Sequence, residues 1–329
     1  MATIKDVALQ AGVSTSTAAR AFQDGASITP KKREAVLRAA KQLGYTPNLL
    51  ARSLKSNKSN IIGIDICNVD NPFYNMIIKV VEEEFKKLGY HLLLTYSNGD
   101  IQEERKNLEL FAGTRAEGIL MMPTSQENKD MIQSLMQKNI SFVQLFGTSY
   151  PFMDSVTVLD DQGASYAVEH LLEYGHRDIL LLNVSTPFNN DRADGYRRAF
   201  EERGLPYSPD HIVTLGGGLE DRAEIENLIQ ERRPTAILAG TYMVGKNTIH
   251  VCQKLQLRIP EDISLVTFDD VEWPELLGVT AVAQPIQYIG LTAVRMILDR
   301  IDGKNPDQRP IVTGVEPHLV IRNSVKRLV

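Results

Sequence analysis

From Ile61 onward the chain alternates short apolar runs with longer amphipathic stretches, a rhythm that admits few folds. Ile61–Ile66, Leu92–Tyr96, Gly118–Met122, Ser141–Phe146 and Ser155–Leu159 are dense in apolar residues, as strands buried on both faces are. Between them Tyr74–Leu88, Glu103–Ala112 and Asn128–Gln137 have helical spacing, and most such stretches close on glycine or asparagine, as at Gly89 and Asn139. The theme restarts at Asp161 with a helix to Tyr174. Strand Ile179–Val184, helix Arg192–Arg203, strand Ile212–Leu215, helix Asp221–Arg232, strand Ala236–Ala239, a helix to Leu255 and strand Ser264–Phe268 follow. Such alternation predicts an α/β fold of parallel, doubly wound sheets, and two successive sets predict two similar subdomains. Helix Ile286–Arg300 and a last strand Leu319–Ile321 do not continue the second set simply.

The first sixty residues have a different grammar. Thr3 suits an N-cap, and Ile4, Val7, Ala8 and Ala11 share one helical face. Gly12 can take the left-handed conformation that ends a helix, and Ser14 can cap the next one. The second helix turns Ala18, Ala21 and Phe22 inward and leaves Thr15, Ser16, Ala19 and Arg20 outside. That outer face is small and polar with one arginine, which suits a helix entering the DNA major groove. The alternative is an αα-hairpin used only for packing. A third helix starts at Thr29-Pro30 and turns Ala35, Val36, Ala39, Ala40 and Leu43 inward before Gly44.

Charge supports the first reading. The net charge of −5 speaks against a nucleic-acid binder only until it is divided. Residues 1–60 hold ten Lys and Arg against three Asp and Glu, a balance of +7, so the remaining 26 against 38 leave −12. A basic head on an acidic body fits DNA binding.

Lys5-Asp6-Val7-Ala8, Ala11-Gly12-Val13-Ser14, Thr17, Arg20, Leu43-Gly44-Tyr45, Pro47-Asn48 and Ala51-Arg52-Ser53-Leu54 together resemble the N-terminal signature of the lactose-repressor (LacI/GalR) family. The resemblance continues through Asn71-Pro72-Phe73-Tyr74, Phe268-Asp269-Asp270 and Gln284-Pro285, so it spans essentially the whole chain. It departs at Ala18-Ala19, where the family usually has Val-Ser, at Phe22-Gln23 in place of Leu-Asn, and at Thr241-Tyr242 in place of Asn-Asp. The resemblance implies a three-helix helix-turn-helix head over residues 1–47 and a hinge helix with linker over 48–59. It implies two subdomains of periplasmic-binding-protein type, 60–160 with 286–316 and 161–285 with 317–329. The chain would cross back near Pro285 and out again near Pro317. It also implies DNA contacts from Thr3, Ser14, Thr15, Ser16, Thr17 and Arg20, and from Asn48, Ala51, Leu54 and Lys55 of the hinge. Effector would lie between the subdomains against Phe73, Tyr74, Gln162, Arg192, Thr241, Asp269 and Trp273. Arg192 and Asp269 could pair with polyol hydroxyls while Phe73 and Tyr74 supply an aromatic wall. The alternatives are a salt bridge on a helix N-terminus for Arg192 and mere rim filling for Trp273.

Two other chemistries find partial support in the residues. Gly240-Thr-Tyr-Met-Val-Gly245-Lys246-Asn247 nearly spells a phosphate-binding G-x-x-x-x-G-K-[ST] loop, and Leu265–Asp269 resembles the acidic strand that accompanies one. Asn247, however, lacks the hydroxyl that ligates magnesium. Gly216-Gly217-Gly218 is read as a flexible loop rather than a phosphate cradle. The six histidines have no partner spacing, so no catalytic or metal residue is expected, and no cofactor. Cys67 and Cys252 have no metal-ligand spacing and read as ordinary thiols of a reducing compartment. There is no apolar leader and no run near the roughly 18 apolar residues of a membrane span, so a cytoplasmic protein without a membrane partner is expected. The expectation is a non-enzymatic transcription regulator, read as a repressor. It would bind pseudopalindromic operator DNA as a homodimer or a tetramer, under control of a small ligand, a sugar or sugar derivative. A P-loop NTPase using Gly240–Lys246 and a free sugar-binding protein are the alternatives.

Overall fold

The computed structural model describes residues 2–22, 26–46, 59–184, 191–304 and 309–328. The chain forms two compact units, Met1–Ser59 and Asn60–Val329. The expected hinge residues Asn48, Ala51, Leu54 and Lys55 lie outside the described residues.

In the first unit, α1 (Ile4–Gln10), α2 (Thr15–Ala21) and α3 (Pro30–Gln42) surround a core of Val7, Ala8, Ala18, Ala21, Val36, Ala39 and Ala40. Five of these seven are alanines, so the helices can approach closely. Thr3 and Asp6 cap α1 reciprocally: the Thr3 hydroxyl accepts from the Asp6 amide, and the Asp6 carboxylate accepts from the Thr3 amide at 2.8 Å. Gly12 ends the helix at φ +63. Ser14 then caps α2, its hydroxyl accepting from the Thr17 amide at 3.1 Å. Thr29 makes no side-chain cap bond to α3, which Pro30 opens.

The second unit contains two six-stranded sheets. β1 (Ile61–Ile66), β2 (His91–Tyr96), β3 (Gly118–Met121), β4 (Ser141–Leu145), β5 (Asp154–Val158) and β11 (Val312–Val315) are all parallel, in the order β11-β5-β4-β3-β1-β2. β6 (Ile179–Val184), β7 (Ile212–Leu215), β8 (Ala236–Ala239), β9 (Ser264–Phe268), β10 (Thr280–Ala283) and β12 (His318–Val320) follow the order β12-β10-β9-β8-β6-β7, with β12 antiparallel to β10. The helices are α4 (Pro72–Lys87), α5 (Ile101–Gly113), α6 (Lys129–Gln137), α7 (Asp160–Glu173), α8 (Asp191–Glu202), α9 (Asp221–Arg232), α10 (Tyr242–Lys254), α11 (Trp273–Leu276) and α12 (Ile286–Ile301). The central strands are buried on both faces, which is why they read as continuous apolar runs.

The chain passes between the sheets three times: after Val158, after Ala283 and after Val315. α12 packs on α4 and the first sheet, and the Arg300 guanidinium grips the Asp154 carboxylate bidentately. Asp154 also accepts from the Ile311 amide at 2.8 Å, which fixes where β11 joins β5. The sequence pattern did not reveal β10, β11 or α11. β10 is only Thr-Ala-Val-Ala, and β11 is an edge strand with Gly314 inside it, so neither carries a strong strand signal.

Candidate functional site

One cavity is built almost wholly from the segments that leave the carboxyl ends of strands. Asn71, Phe73 and Tyr74 follow β1, and Phe146 follows β4. Val158 and Asp160 come from the junction of β5 and α7, and Arg192 opens α8 after β6. Thr241 follows β8, Asp269 follows β9 and Gln284 follows β10. Both sheets therefore contribute, at the edge where open α/β sheets generally bind ligands. The free volume is about 50 Å³, and an adjoining space of about 210 Å³ shares Phe146, Val158 and Asp160 with it.

The polar side chains are held tightly. Arg192 Nη2 lies 2.8 Å from Asp160 Oδ2, and the two side chains are 13% and 22% exposed. The guanidinium also sits over the Phe268 ring, 4.4 Å from its centre. Arg192 Nε and Asp160 Oδ1 have no hydrogen-bond partner. Asp269 is 2% exposed; its carboxylate accepts from the Tyr242 amide at 3.1 Å and from the Gln284 side-chain amide at 2.5 Å. Burial raises the pKa of both Asp160 and Asp269, and the nearby Arg192 charge pulls each back down. The same cavity is lined by an aromatic triangle. Phe73, Tyr74 and Phe146 lie pairwise 5.5 Å apart between ring centres, all tilted. Two lining residues are backbone-strained: Phe146 has φ +65 and Asp269 has φ +68. Non-glycine residues hold that region only where surroundings enforce it, and such strain clusters at binding sites.

Of the effector residues expected from sequence, Phe73, Tyr74, Arg192, Thr241 and Asp269 line this cavity. Gln162, in the first turn of α7, and Trp273 do not. The Trp273 ring packs 5.9 Å from Tyr242 and against Gly245, where an added Cβ would come within 2.7 Å of it. Thr241 caps α10 by accepting from the Val244 amide, and the Tyr242 hydroxyl donates to Glu272. Sequence reasoning missed Asn71, Phe146, Val158, Asp160 and Gln284 as lining residues. Asn71 and Gln284 stood inside quoted family motifs, which was signal enough. Phe146 looked like the end of a strand, and Asp160 fell between the expected strand Ser155–Leu159 and the helix expected from Asp161.

The rival phosphate loop is filled by its own side chains. Lys246 is exposed, and Asn247 is fully buried, donating to the Gly218 carbonyl and accepting from Arg222 Nε. The amides of Gly216 and Gly217 donate to the Asp221 carboxylate, so a phosphate would have to displace it. Among the described residues no three His, Cys, Asp or Glu side chains gather where they could hold a metal ion. No described helix is long and apolar enough to cross a membrane.

In the head, Thr15, Ser16 and Arg20 are exposed on α2, with Arg20 Nη2 donating to Ser16 Oγ at 3.2 Å. Ser14 and Thr17 are partly engaged in capping, their hydroxyls 2.9 Å apart. Thr3 is exposed, but its hydroxyl donates to Asp6. Beside Arg20 a concavity of about 420 Å³ includes Thr17, Ser27, Thr29 and Lys32, none of the last three expected from sequence.

Comparisons with known proteins agree on both parts. Residues 3–48 match the bacterial regulatory proteins of the lacI family, and residues 168–325 match the periplasmic binding protein-like domain. The HTH-type transcriptional repressor PurR of Yersinia pestis bv. Antiqua (strain Antiqua) is 33% identical over 335 residues, covering 99% of this chain and 97% of its own. A putative ribose operon repressor from Burkholderia thailandensis superposes with a TM-score of 0.72 at 26% identity, over 80% of this chain and 99% of that one. The lac repressor dimer bound to operator and the anti-inducer ONPF superposes with a TM-score of 0.84 at 21% identity, over 99% of each chain.

Proposed function

The chain belongs to the lacI family of bacterial regulatory proteins, and from that premise we propose that it is a repressor whose operator affinity is set by a small polyhydroxylated ligand. It is a DNA-binding transcription regulator with a ligand-binding body, and not an enzyme. Two copies of α2 would read the halves of a pseudopalindromic operator, Arg20 at a base edge with Thr15 and Ser16 tuning the sequence. The ligand would be a sugar or sugar derivative. The observation that supports this most is the convergence of an aromatic triangle with Asp160, Arg192, Thr241 and Asp269 on one cavity. Rings offer a surface for the C–H face of a sugar, and the polar groups offer paired hydrogen bonds to its hydroxyls.

The cavity's size bears on mechanism. Ligand pockets usually span roughly 300–1,000 Å³, far more than the 50 Å³ enclosed here. Ligand entry would therefore move the two sheets apart about the three chain crossings. A ligand that favours one separation shifts the population toward it and so changes operator affinity.

The test is selection of operator sites from randomised duplexes with the full chain, followed by titration of sugars, sugar phosphates and nucleobases against the selected site. A two-fold related consensus, bound with altered affinity when a sugar is present, is expected. Enrichment of no symmetric site would overturn the dimeric operator reading. A ligand that stabilises the protein but leaves operator affinity unchanged would overturn the regulatory one.

A further inference from the structure

The charge lining the cavity is out of balance with its enclosure. The described charged residues there are Asp160, Asp269 and Arg192, so one guanidinium faces two carboxylates. Arg192 is already engaged, by Asp160 at 2.8 Å and by the Phe268 ring. Among the described residues the two oxygens of Asp269 accept from neutral donors, the Tyr242 amide and the Gln284 side chain, and Asp160 Oδ1 has no partner. Carboxylates withdrawn from water are costly unless a positive charge answers them. The rings of Phe73, Tyr74 and Phe146 line the same cavity, and aromatic ring faces attract cations.

We propose that the ligand of this cleft carries a protonated amine, seated between the three rings and the carboxylates of Asp160 and Asp269, and that Asp160 sets this preference. The inference rests on the ligand-responsive reading above and narrows its ligand class to amino sugars and similar hydroxylated amines. Asp160 acts in two ways. It adds the second negative charge, and it neutralises Arg192, the one cation in the cavity's described lining that could otherwise hold a carboxylate or phosphate. Anionic sugars are therefore disfavoured.

The test measures thermal stabilisation of the full chain by compounds matched in shape and different in charge. Glucosamine, glucose, N-acetylglucosamine and glucuronate form the sugar series; putrescine and choline are amines without a sugar; adenine and guanine are uncharged nucleobases. Glucosamine is expected to bind about tenfold or more tightly than glucose or N-acetylglucosamine, the scale of one desolvated cation–ring and charge contact. In Asp160→Asn that preference disappears, and glucuronate gains affinity because Arg192 is released. The wild-type ranking carries the test by itself where the variant does not fold. A neutral or anionic sugar as the tightest ligand overturns the proposal and leaves the sugar reading standing. Putrescine or choline as the tightest ligand supports the charge requirement and corrects the sugar reading. A nucleobase as the tightest ligand overturns both. No shift with any compound sinks the cleft as a ligand site, and the proposal with it.

Discussion

At the scale of single residues, two side chains make opposite kinds of prediction. Arg20 stands exposed on α2 among small neighbours, its guanidinium donating to Ser16. If it meets a base edge, Arg20→Ala costs roughly 1–3 kcal/mol and relaxes preference at one operator position. Equal weakening on every sequence would make it a phosphate contact instead, and competition binding on single-base operator variants tells the two apart. Asp65 on β1 is fully buried, its Oδ1 accepting from Thr95 and Asn107 at 2.7 Å while Oδ2 has no partner. Burial pushes its carboxyl up to about 6 from an ordinary 3.8, against the pull of those hydrogen bonds. The folded protein thus holds a proton that the unfolded chain releases. The stability that this group contributes is full below its ordinary value of 3.8 and is lost as pH rises through about 6, roughly 3 kcal/mol for a shift of about two units. Asp65→Asn mimics the protonated form and should flatten the denaturation profile between pH 4 and 7. Parallel profiles for the two proteins would mean that Asp65 is not the group responsible.

At the scale of elements, α7 and α8 position the cavity's ion pair, because α7 begins at Asp160 and α8 carries Arg192 in its first turn. Their approach depends on Gly195, where an added Cβ would fall 1.9 Å from the Asp161 carbonyl oxygen. Backbone cannot yield as a side chain can, so Gly195→Ala must push the helices apart and part Arg192 from Asp160. A loss of roughly 3 kcal/mol is expected in urea unfolding, at the upper end for overpacking, together with loss of ligand stabilisation. Gly113→Ala is the contrast. Nothing lies within 4 Å of its Cβ position in α5, and the change should add roughly 0.5–1 kcal/mol. Equal effects at the two sites would remove the packing argument. The same helices show what was legible in sequence. Strands such as Ile61–Ile66 and Ala236–Ala239 were readable to the residue, because burial on both faces leaves an unbroken apolar run bounded by turns. The Asp160–Arg192 pair was not. Its members are thirty-two positions apart, and an acid opening a helix has a sufficient local explanation in the dipole. Phe146 was hidden differently: it reads as the last residue of β4, but its φ of +65 ends the strand and turns the ring toward Phe73 and Tyr74. Sequence patterns report local burial well and report convergence across strand ends poorly.

At the scale of the whole molecule, function requires that a ligand in an acidic body change what a basic head does. The division of charge, +7 in the first sixty residues and −12 in the rest, makes DNA affinity steeply salt-dependent. Linkage then requires reciprocity: a ligand that changes operator affinity by some factor, typically about 5–150-fold, must see its own affinity changed by operator in the same ratio. The stretch Asn48–Ser56, which follows the three helices of the head in sequence, is proposed to carry this coupling. Nine residues are too few for a helix stable in water, yet none of them is glycine or proline, so a partner could complete one. On operator, two such segments would pack as helices in the minor groove with Leu54 of each wedged between base steps, and half-site spacing would be read by DNA deformation. Forming them would require the two copies to stand at a set separation, which a ligand would change by altering the angle between the sheets. Leu54→Ser removes the wedge without touching α2 or the cavity. It should lower operator affinity and abolish DNA bending together, while ligand affinity measured without DNA stays as in the wild type. Because the wedge contact needs the hinge formed, the same substitution should also shrink the ligand's effect on operator affinity toward unity. Normal bending by Leu54→Ser, or full ligand control in its absence, would place the coupling elsewhere in the chain.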